Sequence, residues 1–387
     1  MSVLAIAALL TFLAACGGDD GERDVDMPDT PAGESTPAVD TVPPGTVALF
    51  DMDALTAEGL DLGRAIIRAE WVDDGETIVA FDANTQTWVA LGIDGALVRE
   101  IAPQVTSSGE GSPVTVLGAV GDGRRVAMAD LRTGSFELID VASGDSEVLF
   151  SGARAFGYFS SRGEYLAGGT TPVDSTGMLD REASVFGVFA ADGDCGDATS
   201  YACIEWEWPS EENIARFPAN NPWSADGAHL LLARQAICPP DEPGAPPEPC
   251  SPDPTFEVYS WPQRELVLAV PSSSGNGARW AGTGALFIDG SFDESIGAAR
   301  YLMTLDGEKR ALPEILHGFS VSFSPDGRHA IASAIPGEDC SLIEVATGDV
   351  LASVAAGAGD TNDTGICQHV SWSPDGRWAI ASGVNTP

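Results

Sequence analysis

Two stretches decide the fold: Phe323-Ser-Pro-Asp-Gly-Arg-His329 and Trp372-Ser-Pro-Asp-Gly-Arg-Trp378. In each stretch an aromatic residue stands four positions before a glycine, and an apolar run begins shortly after that glycine. This pattern is typical of two strands joined by a tight turn. The reversal needs a residue that adopts positive φ, and a Ser or Asp before the glycine hydrogen-bonds the turn backbone. The sequence therefore predicts an antiparallel hairpin at both places.

The same pattern recurs along the chain at intervals of about fifty residues. Two further strands around a second turn follow each hairpin, and four antiparallel strands per repeat make one propeller blade. We predict an all-β fold, a seven-bladed β-propeller spanning residues 46–387. The aromatic residues and glycines of the copies are Trp71 and Gly75, Phe159 and Gly163, Trp223 and Gly227, Trp280 and Gly284, Phe323 and Gly327, and Trp372 and Gly376, with Gly123 marking a degenerate copy. Because these aromatics share one repeat position, we expect them to pack between blades rather than to form a ligand cage.

The last blade is incomplete at the C-terminus of the sequence. After Gly376 only one more strand, residues 378–382, fits before Pro387. Residues 46–50 form a strand that precedes the first copy, and residues 60–67 follow it as the next apolar segment. We predict that these N-terminal strands complete the seventh blade. Closing the ring in this way also removes exposed sheet edges.

The Ser-Pro-Asp-Gly copies resemble the WD-like repeat of TolB-type β-propellers. The resemblance covers about residues 46–383 and is clearest at Gly327 and Gly376. It implies the propeller fold and says little about function, because one fold serves many functions.

The N-terminal segment indicates export. Residues 3–15 form an apolar run that is too short to span a bilayer but has the length of a signal-peptide core. The run ends in Leu-Ala-Ala-Cys16-Gly17, which resembles the bacterial lipoprotein signal. The resemblance implies that residues 1–15 are removed and that Cys16 carries the lipid. If the source is Gram-negative, Gly17 rather than Asp after the cysteine implies the outer membrane. A plain cleaved signal and an uncleaved anchor are the alternatives.

Charge and composition describe the rest of the exported chain. Residues 16–45 are acidic and rich in Pro, Thr and Ser, which predicts a disordered tether. The whole chain has 19 Lys and Arg against 58 Asp and Glu, a net charge of −39. Such acidity argues against a nucleic-acid partner, because phosphate binding needs a basic patch. We expect a monomer.

Six cysteines remain after Cys16, an even number in a chain with an export signal. Six cysteines allow 15 connectivities. We predict local disulfides, while a metal site is the less favoured alternative because no C-x-x-C pair occurs. The predicted pairs are Cys195 with Cys203, Cys238 with Cys250, and Cys340 with Cys367.

Long insertions are predicted on one face of the propeller, which we call the loop-rich face. This face carries the connections from second to third strands and from fourth strands to the next blade. Cys340 and Cys367 should meet there. Long loops on a rigid scaffold often bind ligands, although solvated loops braced by disulfides are the plain alternative. The insertions are residues 169–184, 234–255, 289–299 and 354–366.

Motifs for catalysis or metal binding are weak. No G-x-S-x-G nucleophile elbow occurs, and the Asp-Gly turns lack the spacing of sialidase Asp boxes. Two acidic clusters have oxygen ligands that suit calcium, but neither ends in the bidentate Glu of an EF-hand. We assign no catalytic residue, no cofactor and no metal beyond this weak calcium candidate. The clusters are Asp192, Asp194 and Asp197, and Asp360 and Asp363.

Two classes of function remain. The first is a non-enzymatic envelope lipoprotein that binds a protein, peptide or glycan through the loop-rich face. The second is an envelope hydrolase or lyase that acts on a polysaccharide in the central channel. Ionisable side chains that converge in the channel with shifted pKa values would favour the enzyme. A channel lined by Ala, Val, Gly and Ser would favour the scaffold. His369, near the start of an innermost strand, is the histidine that can face the channel.

Overall fold

The computed structural model describes the chain from residue 47 to residue 382 with gaps. The described residues belong to one unit, Val39–Pro387. Cys16 and both calcium clusters lie outside them. The gaps are residues 61, 63, 65, 73–76, 83–84, 86, 103–113, 120–123, 131–134, 151–152, 162, 173–184, 192–202, 209–212, 217–220, 239–247, 250–254, 272–276, 318–319, 334–338, 356–366 and 368.

Among the described residues, twenty-nine strands form seven antiparallel sheets, which we number as blades 1 to 7. Each of the first three blades contains four strands in sequence order. Blade 1 contains β3 (Ile66–Val72), β4 (Thr77–Asp82), β5 (Thr87–Gly92) and β6 (Leu97–Ala102). Blade 2 contains β7 (Val114–Ala119), β8 (Arg125–Asp130), β9 (Ser135–Asp140) and β10 (Ser146–Phe150). Blade 3 contains β11 (Ala153–Phe159), β12 (Tyr165–Pro172), β13 (Val185–Ala190) and β14 (Ile204–Glu207).

The next three blades repeat this order, and blade 4 has one additional short strand. Blade 4 contains β15 (Asn213–Arg216), β16 (His229–Cys238), β18 (Thr255–Ser260) and β19 (Leu266–Pro271), with β17 (Glu248–Pro249) also paired to β16. Blade 5 contains β20 (Gly277–Trp280), β21 (Ala285–Asp293), β22 (Ala298–Thr304) and β23 (Lys309–Ala311). Blade 6 contains β24 (Ser320–Phe323), β25 (His329–Ser333), β26 (Cys340–Glu344) and β27 (Val350–Val354).

Blade 7 joins the two ends of the chain, as the sequence predicts. Its strand order is β2 (Thr56–Leu60), β1 (Val47–Asp51), β29 (Trp378–Ser382) and β28 (His369–Trp372). Strand β1 pairs along β29, from Ala48 opposite Ala381 to Asp51 opposite Trp378. The fourth strand differs from the apolar segment that we noted at residues 60–67. It lies at Thr56–Leu60 instead, because Asp51 accepts hydrogen bonds from the amides of Asp53 and Ala54 and turns the chain back early.

Seven apolar clusters hold the blades in a ring. Each cluster combines residues of two consecutive blades, and one of them joins blade 7 to blade 1. In that cluster Val47 and Leu49 of blade 7 pack with Trp71 of blade 1. The first strands of neighbouring blades also contact one another, β3 with β28 and β7, and β7 with β11. First strands therefore surround the central channel, and the chain is a seven-bladed β-propeller.

The repeated aromatics occupy the spaces between blades, as expected. Trp71, Phe159, Trp223 and Phe323 are buried within four of the clusters. Trp280 and Trp372 are partly buried beside two others. Three indole N–H groups donate a hydrogen bond to the preceding blade: Trp223 to the Tyr158 carbonyl, Trp280 to the Pro222 carbonyl and Trp372 to the Ser322 hydroxyl. The aromatic position is therefore structural.

The Ser-x-Asp-Gly turns share one hydrogen-bond network. In blade 6 the Ser324 hydroxyl donates to Asp326 at 2.6 Å and accepts from the His329 amide at 3.0 Å. The Arg328 amide donates to the same Asp326 oxygen. Gly327 adopts φ of +71°, which side chains rarely tolerate. The turns at Gly227 and Gly376 repeat these contacts.

The turn of blade 5 departs from the predicted glycine. Gly282, with φ of +85°, adopts the left-handed conformation there, whereas Gly284 has no positive φ. The Ala281 amide donates to the Ala285 carbonyl, so this turn closes one residue earlier than its counterparts. Gly284 therefore lies in this turn, between β20 and β21, but the expectation that it supplies the positive φ is wrong. Gly163 has φ of +69° as predicted, and Gly75 and Gly123 lie outside the described residues.

Helical structure is minimal in the described part of the chain. The single helical element there is a 3-10 turn at Glu314–His317. No helix among the described residues is long and apolar enough to cross a membrane.

Candidate functional site

Charged side chains enter the central channel from strand β3. Ala69 and Trp71 are buried in the core between blades 7 and 1, so Arg68 and Glu70 project from the opposite side of the strand. Glu70 contacts His369 of blade 7 and lies within electrostatic range of Tyr158 in blade 3. Blades 1 and 3 are not neighbours, and the channel separates their first strands. We call Arg68, Glu70, Tyr158 and His369 the channel cluster.

One carboxylate oxygen organises this cluster. Glu70 Oε1 accepts hydrogen bonds from Arg68 Nε at 3.2 Å and from Arg68 Nη2 at 2.9 Å. His369 Nε2 lies 2.7 Å from the same oxygen, although its N–H direction is not aligned for a hydrogen bond. The Glu70 side chain is 14% exposed, whereas Arg68 and His369 are 36% and 33% exposed. The basic groups therefore shield the acid and keep part of their own surface open.

The pKa values of Glu70 and Tyr158 move away from neutrality. Burial by itself raises the pKa of Glu70, but the contacts with His369 and Arg68 outweigh it and lower that pKa to about 2. Burial raises the pKa of Tyr158, with opposing smaller effects from Arg68 and Glu70. A general acid or base works best with a pKa near the operating pH. Glu70 and Tyr158 are therefore poorly suited to proton transfer at neutral pH and better suited to electrostatic contact.

Hydroxyl groups of blade 7 bind the backbone of blade 1 beside this cluster. The Ser382 hydroxyl accepts from the Ala69 amide at 3.1 Å, and the Ser371 hydroxyl accepts from the Trp71 amide at 3.0 Å. These contacts fix β3 against the two C-terminal strands. The geometry of the channel cluster therefore depends on ring closure.

The loop-rich face is described in part. Strands β16 and β17 pair at its largest insertion, with Cys238 opposite Glu248, so the insertion begins as a hairpin. The 289–299 insertion likewise begins as an extension of β21 and β22. Within the four insertions, residues 173–184, 239–247, 250–254 and 356–366 lie outside the described part of the chain.

One predicted disulfide is present on this face. Cys340 and Cys367 are bonded, with Cα atoms 5.5 Å apart, and both are buried in the core between blades 6 and 7. Cys203 is also disulfide-bonded. Its predicted partner Cys195, like Cys250, lies outside the described residues. The pairings of Cys195 with Cys203 and of Cys238 with Cys250 therefore stay predictions.

The residues predicted to bind metal or to carry the lipid lie outside the described part of the chain. No group of three or more His, Cys, Asp or Glu side chains suited to a metal occurs among the residues that the structure covers. The calcium candidates Asp192, Asp194, Asp197, Asp360 and Asp363 fall in the gaps, as Cys16 falls before residue 47. Sequence reasoning noted His369 but missed Arg68, Glu70 and Tyr158.

Comparison with known proteins gives likeness at the level of fold. No protein-family model matches the chain, and no curated protein matches it. Similar solved structures include the Cps50 (Swd1) β-propeller domain of Myceliophteria thermophila, at 12% identity and TM-score 0.46, covering 83% of this chain and 99% of that one. A putative TolB from Agrobacterium tumefaciens has 12% identity and TM-score 0.40, covering 88% and 98%.

An enzyme with a larger chain is also similar. The acylaminoacyl peptidase of Pyrococcus horikoshii has 12% identity and TM-score 0.45, and the likeness covers 76% of this chain and 46% of the peptidase. A peptidase and a β-propeller domain of another kind of protein thus occur among the similar structures. The class that the fold defines is the seven-bladed β-propeller, and these likenesses carry no information on function.

Proposed function

We propose that this protein is an exported, lipid-anchored propeller that binds a protein, peptide or glycan of the cell envelope through its loop-rich face. The lipoprotein-like signal at Cys16 and the acidic tether support export and anchoring. Binding is favoured by an asymmetry between the two faces. The Ser-x-Asp-Gly turns on one face are short and uniform, whereas the insertions on the other vary in length and composition.

The ionised state of Glu70 argues against its use as a general acid. Ionisable side chains do converge in the channel, which by itself would favour an enzyme. However, the pKa of Glu70 falls to about 2 because Arg68 and His369 hold its charged form. Glu70 is thus an ionised partner at neutral pH and not a proton donor. The cluster suits a structural or electrostatic role in a binding protein.

The enzyme stays as the second candidate because Glu70 contacts His369 and lies within electrostatic range of Tyr158. An envelope hydrolase or lyase acting on a polysaccharide would use this cluster. Replacement Glu70→Gln would then abolish release of reducing ends from purified envelope polysaccharide, while a binding protein would release none in either form. Wild-type release that the replacement abolishes would favour the enzyme.

Capture from envelopes tests the binding proposal. The wild-type protein should retain one or more defined components from detergent-solubilised envelopes. Trimming residues 173–184 and 239–254, which lie between the blade strands at these two insertions, to short Gly-containing turns should abolish this capture and leave the melting transition cooperative. Unchanged capture by the trimmed protein would contradict binding through the loop-rich face.

Membrane fractionation tests the anchor separately. Replacement Cys16→Ser removes the thiol that a lipoprotein needs for lipid attachment, so the variant should leave the membrane fraction. A matched Cys203→Ser variant should stay in that fraction. Retention of the Cys16→Ser variant would point to an uncleaved anchor.

A further inference from the structure

The outer wall of the ring contains a groove between blades 4 and 5. Strand β19 forms one side of it, and β22 and β23 form the other, around a cavity of about 480 Å³. Leu268, Val270, Tyr301 and Met303 form the apolar floor of this space, where they pack together in the core between blades 4 and 5. This volume is within the range of ligand sites, roughly 300–1,000 Å³. The groove therefore has room for side chains of a bound molecule.

Strand β19 is an unusual edge strand. It ends its sheet, so the backbone groups on its outer side have no neighbouring strand in the described part of the chain. Natural proteins usually protect such edges with charged side chains, yet β19 has the sequence Leu-Val-Leu-Ala-Val-Pro. Leu266 and Val267 are 54% and 41% exposed.

The outermost strands of other blades lack this combination. Strand β27 also carries no charge, but it contacts β2 of the next blade. The others each carry at least one charged residue: Glu58 in β2, Arg99 and Glu100 in β6, Glu147 in β10, Glu205 and Glu207 in β14, and Lys309 and Arg310 in β23. A bulge at Val267 disturbs the start of β19, and its regular part runs from Leu268 to Pro271. The uncharged, regular part is the part that lines the groove.

Charged side chains at the rim of this groove determine which charge a ligand should carry. Lys309, the only lysine of the chain, is held by the Asp293 carboxylate, and its ammonium lies 5.5 Å from the Tyr301 ring centroid. The hydrogen bond from Lys309 lowers the pKa of Asp293 to about 2. Lys309 and Asp293 therefore neutralise each other, and exposed Glu294 leaves the rim negative.

We infer that this groove binds an extended peptide that adds a strand to the edge of β19. Backbone hydrogen bonds to β19 would give affinity, and alternate side chains would enter the cavity. Apolar side chains match Leu268, Val270 and Met303, and a Lys or Arg beside them matches Glu294. The partner is thus an extended segment that alternates apolar residues and carries a basic residue.

Selection from a peptide library tests this inference on the mature full-length protein. The probe is a displayed library of random nine-residue peptides. Selected sequences should alternate apolar residues, contain Lys or Arg, and lack Pro in the middle. Bound peptide should slow hydrogen exchange of the amides in β19. Failure to select any peptide above background would overturn the inference.

Two matched replacements locate the binding. Ala269 lies exposed in the groove wall, and Val148 lies exposed on β10, the outermost strand of blade 2. Ala269→Lys should weaken binding of the selected peptides about tenfold or more, because it places at the edge a positive charge that repels the basic residue of the peptide. Val148→Lys should leave this binding unchanged. Glu294→Lys should weaken binding and remove its salt dependence. Equal binding by wild type and Ala269→Lys would also overturn the inference.

These outcomes are separate from those of the proposed function. The replacements leave residues 169–184 and 234–255 intact, so envelope capture can persist when the groove binds nothing. A concentration-dependent dimer that Ala269→Lys abolishes would instead identify a second copy of the chain as the occupant and would contradict the peptide assignment.

Discussion

Glu70 shows how ring closure brings together residues from opposite ends of the chain. Its partner Arg68 is two positions away on β3, but His369 comes from the first strand of blade 7 and Tyr158 from blade 3. The cost of burying the carboxylate is offset by the two basic groups on one oxygen atom. The ionised form of Glu70 therefore contributes to folded-state stability.

Acid titration should reveal this contribution. The pKa of Glu70 is about 2 in the folded protein against an ordinary value of 4.5. The stabilisation is therefore present above pH 4.5 and is lost as the pH falls toward 2, with an upper bound of about 3 kcal/mol. The difference in unfolding free energy between wild type and Glu70→Gln should shrink over this range in urea titrations.

A matched replacement serves as the control for the acid titration. Glu58 lies exposed on β2, outside the channel. The Glu58→Gln variant should follow the wild-type pH dependence throughout. If the unfolding free energy of Glu70→Gln runs parallel to that of the wild type between pH 4.5 and 2, the ion-pair account is contradicted.

The channel cluster shows which features of the site the sequence can and cannot predict. The turn at Gly327 follows from local residues, because Ser324 and Asp326 satisfy the backbone that Gly327 reverses. His369 could be placed near the channel because the repeat fixes its strand position. Arg68 and Glu70 carry no local signal, since their partner lies on a strand that is distant in sequence and adjacent only after closure.

At the scale of the elements, the turns also pack against one another. A Cβ atom on Gly327 would lie 2.8 Å from the Ala281 carbonyl of the neighbouring turn. A Cβ on Gly227 would likewise lie 2.8 Å from the Ser161 hydroxyl. At Gly327 glycine is thus required by close approach of another backbone as well as by its positive φ. Gly307 has φ of +88° but no neighbour within 4 Å of an added Cβ, which makes it a natural comparison.

Replacing Gly307 and Gly327 with alanine should separate the cost of a positive φ from the cost of close approach between turns. Gly307→Ala should cost only the backbone strain of a left-handed alanine, about 1–2 kcal/mol. Gly327→Ala should cost more, about 3 kcal/mol or above, because the turns of blades 5 and 6 must also move apart. Urea unfolding of both variants gives the comparison, and equal costs would show that the turn contact contributes nothing.

The Cys340–Cys367 disulfide is a second element-level feature. It joins β26 to the segment before β28 across a sequence separation of 27. The chain-entropy estimate for such a loop is about 3–4 kcal/mol. The double variant Cys340→Ala and Cys367→Ala should lose about this much unfolding free energy. Addition of reductant to the wild type should cost at least as much, because it also reduces the disulfide of Cys203.

Mass mapping without reduction extends this test to the other cysteines. It should link Cys195 to Cys203 and Cys238 to Cys250 as well as Cys340 to Cys367. Free thiols at several of these positions would argue against export to an oxidising compartment.

For the whole molecule, seven blades share seven apolar cores, and no core belongs to a single blade. Blade 7 contributes to two of these cores through β1, with Val47 and Leu49 on one side and Ala48 and Phe50 on the other. The repeat period made the blade count predictable. It could not locate β2, which has no repeat motif and begins after a turn set by Asp51.

The central claim is that strand β1 closes the ring. Val47, Leu49 and Phe50 are 0%, 5% and 0% exposed, and burial of three such side chains contributes about 5–8 kcal/mol. That amount is comparable to the whole stability of a typical domain, about 5–15 kcal/mol. Loss of this strand should therefore affect the entire propeller.

The most direct measurement is the thermal melt of a variant that lacks residues 46–50, followed by circular dichroism beside a control that lacks residues 41–45. The strand deletion should lower the midpoint by about 10 °C or more, or abolish the cooperative transition. The control should melt like the wild type. An unchanged midpoint after deletion of residues 46–50 would contradict closure of the propeller by its N-terminal strand.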